Sequence, residues 1–285
     1  MVTDSACSLP DDLALARGVR VVPMWLSVGG RQYRDGELPL EQVVACLGEG
    51  LSTSGPAPGE LAGAAEEADE GDGVLVLTIS RRMSGAYQAA RVAAATLADA
   101  GGKEVAVVDT GTAAGAQGLV VLAASRAARA GLPLGDVVAA AEVASREARL
   151  VATLPSLQHL ARGGRVPGAA AWGAEWLGLN PVFEFRGGHV RPLRPARGRQ
   201  AAFRRVVAAW RRGSAEHVRR GQALHVAALH ALDPLAAEDL AAQVGARVSP
   251  QTAFVGSFSA VMVAHTGPGL AGLAWQWETT APRPG

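Results

Sequence analysis

The chain has 285 residues, of which 49% are apolar, enough to bury a substantial core in one large or two medium domains. Its formal net charge is +1, but residues 162–220 hold thirteen arginines against three glutamates, so this segment alone carries +10. Two cysteines are too few for a disulfide framework, no apolar run reaches the roughly 18 residues of a membrane span, and the N-terminus lacks a signal-peptide pattern. We therefore expect a globular cytoplasmic protein without stable membrane insertion.

The first half of the chain alternates short apolar runs with alanine-rich stretches. Its pattern predicts strands at 20–28, 74–79 and 105–108 and helices at 84–100, 112–130 and 136–149. Continuously apolar strands are typical of a sheet that helices cover on both faces. We therefore expect a parallel three-layer α/β/α N-terminal domain, which we place at residues 1–150.

The pattern changes after Leu150. Two runs, 181–186 and 189–194, flank a pair of glycines and predict an antiparallel hairpin with a two-residue turn. Beyond it the sequence predicts a basic helix at 199–212, a strand at 223–231, a helix at 235–244, and a final strand pair around Ala253 and Val263. These elements indicate a second α/β domain with a mixed sheet, residues 151–285.

Two stretches in the first half combine hydroxyl residues with a predicted helix start. In TSGPAPGE, Thr53 and Ser54 precede Pro58, where a helix would begin. In SRRMSGAYQAA, Ser84 and Gly85 stand before an alanine-rich helix. The free N–H groups of a helix start favour an anion, but the same hydroxyls could simply cap a helix or order a turn. Local sequence leaves both interpretations open.

A histidine closes an apolar run near the end of the chain, in VMVAHTGPG. We interpret the run as a strand, which would place His265 at its carboxyl end beside Thr266 and Gly267, facing a crevice. Together with Thr53 and Ser84, the imidazole would complete a set of hydrogen-bond donors suited to a carboxylate or a phosphate. A histidine with a purely structural role is the alternative.

Seven motifs occur along the chain in a characteristic order. They are DSACSLP (4–10), VVPMWLSVGGRQYRDG (21–36), TSGPAPGE (53–60), MSGAYQAA (83–90), AVVDTGTAAGAQG (106–118), LQHLARGGRV (157–166) and HTGPG (265–269). In this order they resemble the DegV family of bacterial fatty-acid-binding proteins, and the resemblance spans nearly the whole chain. The sequence departs from many relatives at Gly55, where they have glutamine, and at Asn180, where they have lysine.

The resemblance implies a DegV-like two-domain fold that buries a long-chain fatty acid between its domains. It implies that Thr53, Ser84 and His265 hold the carboxylate, with supporting positions at Ser54, Gly85, Thr266 and Gly267. A tail of ~14 methylenes would supply on the order of 11 kcal/mol, at about 0.8 kcal/mol each, before ordering costs. The hydrogen bonds would offset the cost of burying an ionised head group.

The resemblance also implies a separate ATP-dependent fatty-acid kinase (DhaK/DhaL-like) that phosphorylates the presented acid for phospholipid synthesis. Arg165, in the Gly-Gly-Arg motif, is a candidate for contact with that kinase. The chain itself would be a carrier with no catalytic residue, cofactor or metal. It has no G-x-x-x-x-G-K-[ST] phosphate loop, and GTAAGAQG lacks dinucleotide-loop spacing, so we attribute its small residues to helix capping and close packing.

Two other classes of function remain as alternatives. In a serine hydrolase, His265 would activate Ser84 and a carboxylate such as Asp109 would orient the ring, although Ser84 lies outside a G-x-S-x-G motif. The arginine-rich segment could bind nucleic acid, but its aromatic residues, Phe203 and Trp210, are expected to pack inward. We expect no nucleic-acid partner.

Overall fold

The computed structural model describes residues 1–48, 50–101, 103–166, 169 and 178–278. Its first sheet is fully parallel and has the order β2-β1-β6-β7. The strands in that order are Arg20–Val22, Val2–Asp4, Val74–Thr78 and Val105–Asp109. The parallel sheet confirms the prediction for the first half of the chain.

A small antiparallel sheet, β4-β3-β5, branches from the first half. Its strands are Arg31–Arg34, Trp25–Val28 and Ser52–Ser54. The prediction of a single strand at 20–28 is wrong. Strand β2 ends at Val22, before Pro23, and the residues that follow form β3 in a different sheet. Proline supplies no N–H to a ladder, which accounts for a break at that point.

The second sheet is mixed and has the order β10-β9-β8-β13-β11-β12. Only β11 and β12 pair in parallel. The strands in sheet order are His189–Ala196, Asn180–Arg186, Arg149–Thr153, Ala271–Trp277, Leu224–His230 and Thr252–Ser257. The predicted hairpin is confirmed, and its turn residues Gly187 and Gly188 have φ of 56° and 78°, the left-handed values that such a turn requires.

Helices stack against the sheets in layers. The helices described are α1 (Asp11–Ala16), α2 (Leu40–Ala45), α3 (Pro58–Ala68), α4 (Ala86–Gly101), α5 (Ala114–Arg129), α6 (Leu134–Glu147), α7 (Gln158–Arg162), α8 (Arg199–Arg219), α9 (Pro234–Gly245) and α10 (Ala260–Thr266). Helices α3 and α4 cover one face of the parallel sheet, and α5 and α6 cover the other. Helices α8 and α9 cover the outer face of the mixed sheet.

The helix α5 is shared by the two sheets. It contacts β8, β11 and β13 of the mixed sheet while also packing in the core cluster that contains β6 and β7 residues. Its apolar character all round fits this position, since twelve of its sixteen residues are buried. The parallel and mixed sheets confirm the predicted fold class; the domain boundary at residue 150 stays a prediction.

Six of the thirteen arginines of the arginine-rich segment lie on α8. Phe203 and Trp210 are buried, as expected, with Trp210 only 2% exposed. Several arginines of the segment pair with acids of the chain itself, in Arg199–Asp233, Arg219–Glu216 and Arg220–Glu216. The rings of Phe203 and Trp210 are therefore not available for stacking on bases. None of the helices that the structure describes combines the length and apolar character needed to cross a membrane.

Candidate functional site

His265 lies on a helix, not at the end of a strand. The apolar run around Val263 forms α10, whose Val261 and Val263 are buried, so the predicted strand is wrong. A run of four apolar residues does not distinguish a buried strand from a buried helix, and the length of seven residues suited either. The helix ends at Gly267, whose φ of 79° stops it directly after Thr266.

The imidazole of His265 contacts the hydroxyl of Thr53. Nε2 of His265 lies 2.7 Å from Oγ1 of Thr53, a hydrogen bond between residues 212 positions apart. Thr53 is in the middle of β5, where its backbone pairs with Leu26 of β3. Two of the three residues predicted to hold an anion are therefore in direct contact.

Ser84 lies beside the same segment. Its Oγ accepts a hydrogen bond from the N–H of Ala86 at 3.2 Å, so it stabilises the start of α4. A Cβ added at Gly55 would lie 3.2 Å from the same Oγ, which places the chain two residues after Thr53 against Ser84. The absence of a side chain at Gly55, a departure from many relatives, thus leaves the serine hydroxyl uncovered on that side.

The Gly-Gly-Arg motif packs against the opposite side of the imidazole. A Cβ added at Gly163 would lie 3.0 Å from Nδ1 of His265, closer than a side chain tolerates without displacing the ring. Sequence reasoning missed Gly163, although it stands within the quoted motif LQHLARGGRV. Arg165 is exposed, and its Nη1 donates a hydrogen bond to the carbonyl of Gly163.

Burial and a nearby cation keep His265 neutral. Burial and, as the smaller cause, the positive charge of Arg165 together lower the pKa of His265 to about 4. Burial and Arg162 likewise lower the pKa of His159, whose ring packs against Gly267. At pH 7 the site therefore presents a neutral imidazole, with one nitrogen that donates and one that accepts.

The four supporting residues have mixed placements. Thr266 is buried, and its hydroxyl donates to the carbonyl of Met262, so it is already used within the helix. Gly267 ends the helix, as described. Ser54 and Gly85 are exposed. Neither Thr53 nor Ser54 caps α3, because its N-cap residue is Ala57, whose N–H donates to Glu60.

The contacts do not assemble the hydrolase alternative. The Nε2 of His265 is bonded to Thr53 rather than to Ser84. Asp109 accepts hydrogen bonds from the N–H groups of Arg81 and Gly111, so it orients a loop and not the imidazole. Within the described residues, no group of three His, Cys, Asp or Glu side chains is placed to hold a metal ion.

Two surface hollows lie elsewhere, along α8. One, of about 400 Å³, is lined by residues that include Arg149, Glu184 and Arg212, and the other, of about 330 Å³, by Arg204, Arg211 and Arg247 among others. Both are on the side of the mixed sheet away from α5. The candidate site is therefore defined by the convergence of its polar side chains, with Thr53 and His265 at its centre.

These features define a class: an α/β protein with a parallel, a mixed and a small antiparallel sheet, and with a small hydroxyl-and-imidazole site assembled from distant parts of the chain. A family model described as "Uncharacterised protein, DegV family" matches residues 1–278. A DegV domain-containing protein of Deinococcus radiodurans is 35% identical over 283 residues, covering 96% of each chain. The chain belongs to the DegV family.

Solved structures of DegV proteins share the fold. A fatty-acid-binding DegV family protein of Thermus thermophilus superimposes with a TM-score of 0.87 at 34% identity, over 97% of this chain and 98% of that one. A stearic acid-binding protein of Eubacterium ventriosum gives a TM-score of 0.88 at 23% identity, over 97% of each chain. The second likeness concerns the fold alone.

Proposed function

We propose that this protein binds a long-chain fatty acid, with the carboxylate at Thr53, Ser84 and His265 and the tail buried in the apolar interior. The observation that carries the proposal is the 2.7 Å contact between Thr53 and His265, with Ser84 beside them. Two hydroxyls and the imidazole that orients one of them form a compact polar set, and in the part of the chain that the structure describes no carboxylate is among their hydrogen-bond partners. The fatty-acid-binding Thermus thermophilus relative, at 34% identity, supports the same ligand class.

The neutral imidazole has a specific task in this proposal. A neutral His265 with its proton on Nε2 donates to Oγ1 of Thr53, which occupies the acceptor side of that hydroxyl. The threonine O–H then points to the carboxylate, and the hydroxyl of Ser84 supplies a second donor. An ionised carboxylate is costly to bury unless its oxygens are hydrogen-bonded, so this arrangement selects for the acid head group.

The tail would enter the largest apolar cluster of the protein. That cluster contains residues from the small sheet, from α7 and α10 and from the mixed sheet, including Leu26, Leu160, Phe258 and Val261. His265 lies at its edge, since α10 contributes to the cluster, and Thr53 pairs with Leu26, a residue of the cluster. Burial of the methylenes supplies the affinity, and the polar groups fix the orientation of the ligand.

Native mass spectrometry of the protein after expression in bacteria tests the proposal. We expect a co-purified fatty acid, and after its removal we expect hexadecanoic acid to rebind. Thr53→Val and Ser84→Ala should each weaken binding about tenfold, for the loss of one hydrogen bond to a charged group, and His265→Ala should also weaken it, because the Thr53 hydroxyl is no longer oriented. Ser249→Ala and His189→Ala, which change exposed residues of the same types, should bind like the wild type. Wild-type affinity in all three site variants would overturn the assignment.

We further propose that the bound acid is presented in the cytoplasm to an ATP-dependent fatty-acid kinase, with this chain as a non-enzymatic carrier. Arg165 supports this step because it is exposed and adjacent to the site through Gly163. With a purified fatty-acid kinase, ADP release should depend on this protein and its ligand. Arg165→Ala should lower that rate while fatty-acid affinity stays unchanged; unchanged ADP release would exclude Arg165 from docking.

A further inference from the structure

A carboxylate from the first half of the chain holds the start of the helix that carries His265. Oδ1 of Asp35 accepts a hydrogen bond from the N–H of Ala260, the first residue of α10, at 2.9 Å. Ser259, the N-cap residue of this helix, makes no side-chain capping bond. The first N–H groups of a helix need acceptors, and here a residue 225 positions away supplies one.

The carboxylate is itself held in place. Its other oxygen, Oδ2, accepts a hydrogen bond from the hydroxyl of Ser5 at 2.6 Å, and that hydroxyl accepts one from the N–H of Met24 at 3.0 Å. The N–H of Asp35 donates to the carbonyl of Met24 at 2.8 Å. Burial raises the pKa of Asp35, while the bonds from Ser5 and Ala260 oppose that rise. The negative end of the residue therefore has a fixed position.

The same small sheet reaches both ends of α10. Asp35 directly follows β4, and Thr53 lies on β5, with β3 between them; Trp25 of β3 pairs with Arg34 on one side and Ser54 on the other. Two strand spacings measure about 10 Å. From Ala260 to His265 the helix rises about 7.5 Å. One rigid sheet thus contacts the start of the helix through Asp35 and its last turn through Thr53.

We propose that Asp35 is a positioning residue of the ligand site: by holding the start of α10, it keeps the His265 imidazole at the Thr53 hydroxyl. The effect on ligand binding rests on the proposed function, in which a displaced imidazole no longer orients the hydroxyl hydrogen of Thr53. Asp35 touches neither residue of the pair in the described contacts. Its effect on the ligand passes through the helix.

A double-mutant cycle with His265 distinguishes this role from general stabilisation. We expect Asp35→Ala to weaken hexadecanoic acid binding about tenfold, the effect of losing roughly one charge-assisted hydrogen bond. In a His265→Ala background the same change should have less than about a twofold effect, since residues acting through one group are not additive. Equal losses in both backgrounds would overturn the proposal. Asp35→Asn, which keeps one carbonyl oxygen, should restore part of the affinity, and Asp12→Ala, at an exposed acid, should change nothing.

Nuclear magnetic resonance of the ligand-free protein tests the positioning independently of fatty-acid binding. The ring nitrogens of His265 report the bond to Thr53, and Thr53→Val supplies the spectrum in which that bond is absent. In Asp35→Asn, which we use if the alanine variant does not fold, the spectrum should shift towards that of Thr53→Val. An unchanged spectrum overturns the proposal. If the wild type binds no fatty acid while the spectrum does shift, the proposed function fails and the positioning role stands.

Discussion

At the scale of single residues, the site depends on how closely the backbone approaches the imidazole. Gly163 lies against the Nδ1 side of His265 and has an ordinary helical φ of −64°. Alanine adopts this φ without backbone strain, so the main effect of an added methyl group is its contact with the imidazole of His265. We expect Gly163→Ala to displace the imidazole from Thr53 and to lower fatty-acid affinity about three- to tenfold.

Calorimetric titration with hexadecanoic acid measures that loss. Gly245→Ala is the matched control, because a Cβ at Gly245 in α9 meets nothing within 4 Å. The control should bind like the wild type. If Gly163→Ala also binds normally, the alanine methyl group fits without moving the ring of His265. The imidazole would then not be in tight contact with Gly163.

The charge state of His265 gives a second prediction at this scale. Its pKa of about 4 in the ligand-free protein lies below the ordinary value of about 6.5 because of burial and Arg165. A bound carboxylate places a negative charge near the ring and should raise this pKa. Arg165→Gln should also raise it, by removing a cation. Titration of the ring resonances with and without hexadecanoic acid measures both changes.

The lowered pKa of His265 also determines the direction in which this residue changes the free energy of unfolding with pH. The unfolded chain takes up this proton near pH 6.5, and the folded protein only near pH 4. The contribution of His265 to the free energy of unfolding is therefore complete above pH 6.5 and is lost as the pH falls towards 4. His265→Gln should flatten that part of the stability curve. A ring pKa near 6.5 in the folded protein would contradict the argument.

The sequence grouped the residues of the candidate site but did not predict their surroundings. The motif resemblance assigned Thr53, Ser84 and His265 to one site, and in the structure Thr53 and His265 are in contact; their role in holding a carboxylate stays a prediction. Gly163 and Asp35 were missed because their roles depend on contacts with residues that are far away in the sequence. A glycine signals a close approach but not its partner, and a lone aspartate after a short strand resembles any turn residue.

At the scale of elements, α5 shows why the motif AVVDTGTAAGAQG is rich in small residues. A Cβ at Gly115 would lie 2.8 Å from the Cβ of Ala227 and 3.1 Å from Leu229, both on β11. A Cβ at Gly118 would lie 2.9 Å from the carbonyl of Cys7 on the other side. The interpretation of these glycines as close-packing residues is confirmed.

A single methyl group should therefore separate α5 from the mixed sheet. We expect Gly115→Ala to lower the free energy of unfolding by about 1–3 kcal/mol through overpacking. Gly135→Ala in α6, where a Cβ meets nothing within 4 Å, should raise it by up to about 1 kcal/mol through helix propensity. Urea denaturation measures both values. A stabilising Gly115→Ala would mean that the two layers are not in contact.

Elements with a clear period or turn were predicted well, and short ones were not. The strands β6 and β7, the helices α4 to α6 and the hairpin at Gly187 agree with the structure to within a few residues. Wrong assignments fall at 20–28 and at α10, where an apolar run of four to nine residues carries no decisive period. The central strands β8 and β13 of the mixed sheet were not predicted. At 20–28 the strand ends before Pro23, and at α10 the first N–H of the helix donates to Asp35, a residue 225 positions away.

At the scale of the whole molecule, the largest core cluster contains residues of both the parallel and the mixed sheet. The helix α5 packs between these sheets, and the N–H of Gly188 in the hairpin donates to the carbonyl of Gly111 after β7. A ligand tail in this cluster would touch the shared core. Its binding energy should therefore stabilise the molecule as a unit.

We expect one thermal transition that moves upward when fatty acid is added. At a free concentration of 100 times the dissociation constant, binding adds about 2.7 kcal/mol to the free energy of unfolding. For a chain of this size that corresponds to a rise in Tm on the order of 5 °C. The Tm of His265→Ala should rise less at the same fatty-acid concentration. The methyl ester of hexadecanoic acid keeps the tail but lacks the ionised head group, so it should raise the Tm of the wild type by less than the acid does. Scanning calorimetry checks the prediction: two separate transitions, with only one of them shifted by the ligand, would mean that the two sheets unfold independently and that the tail lies within one of them.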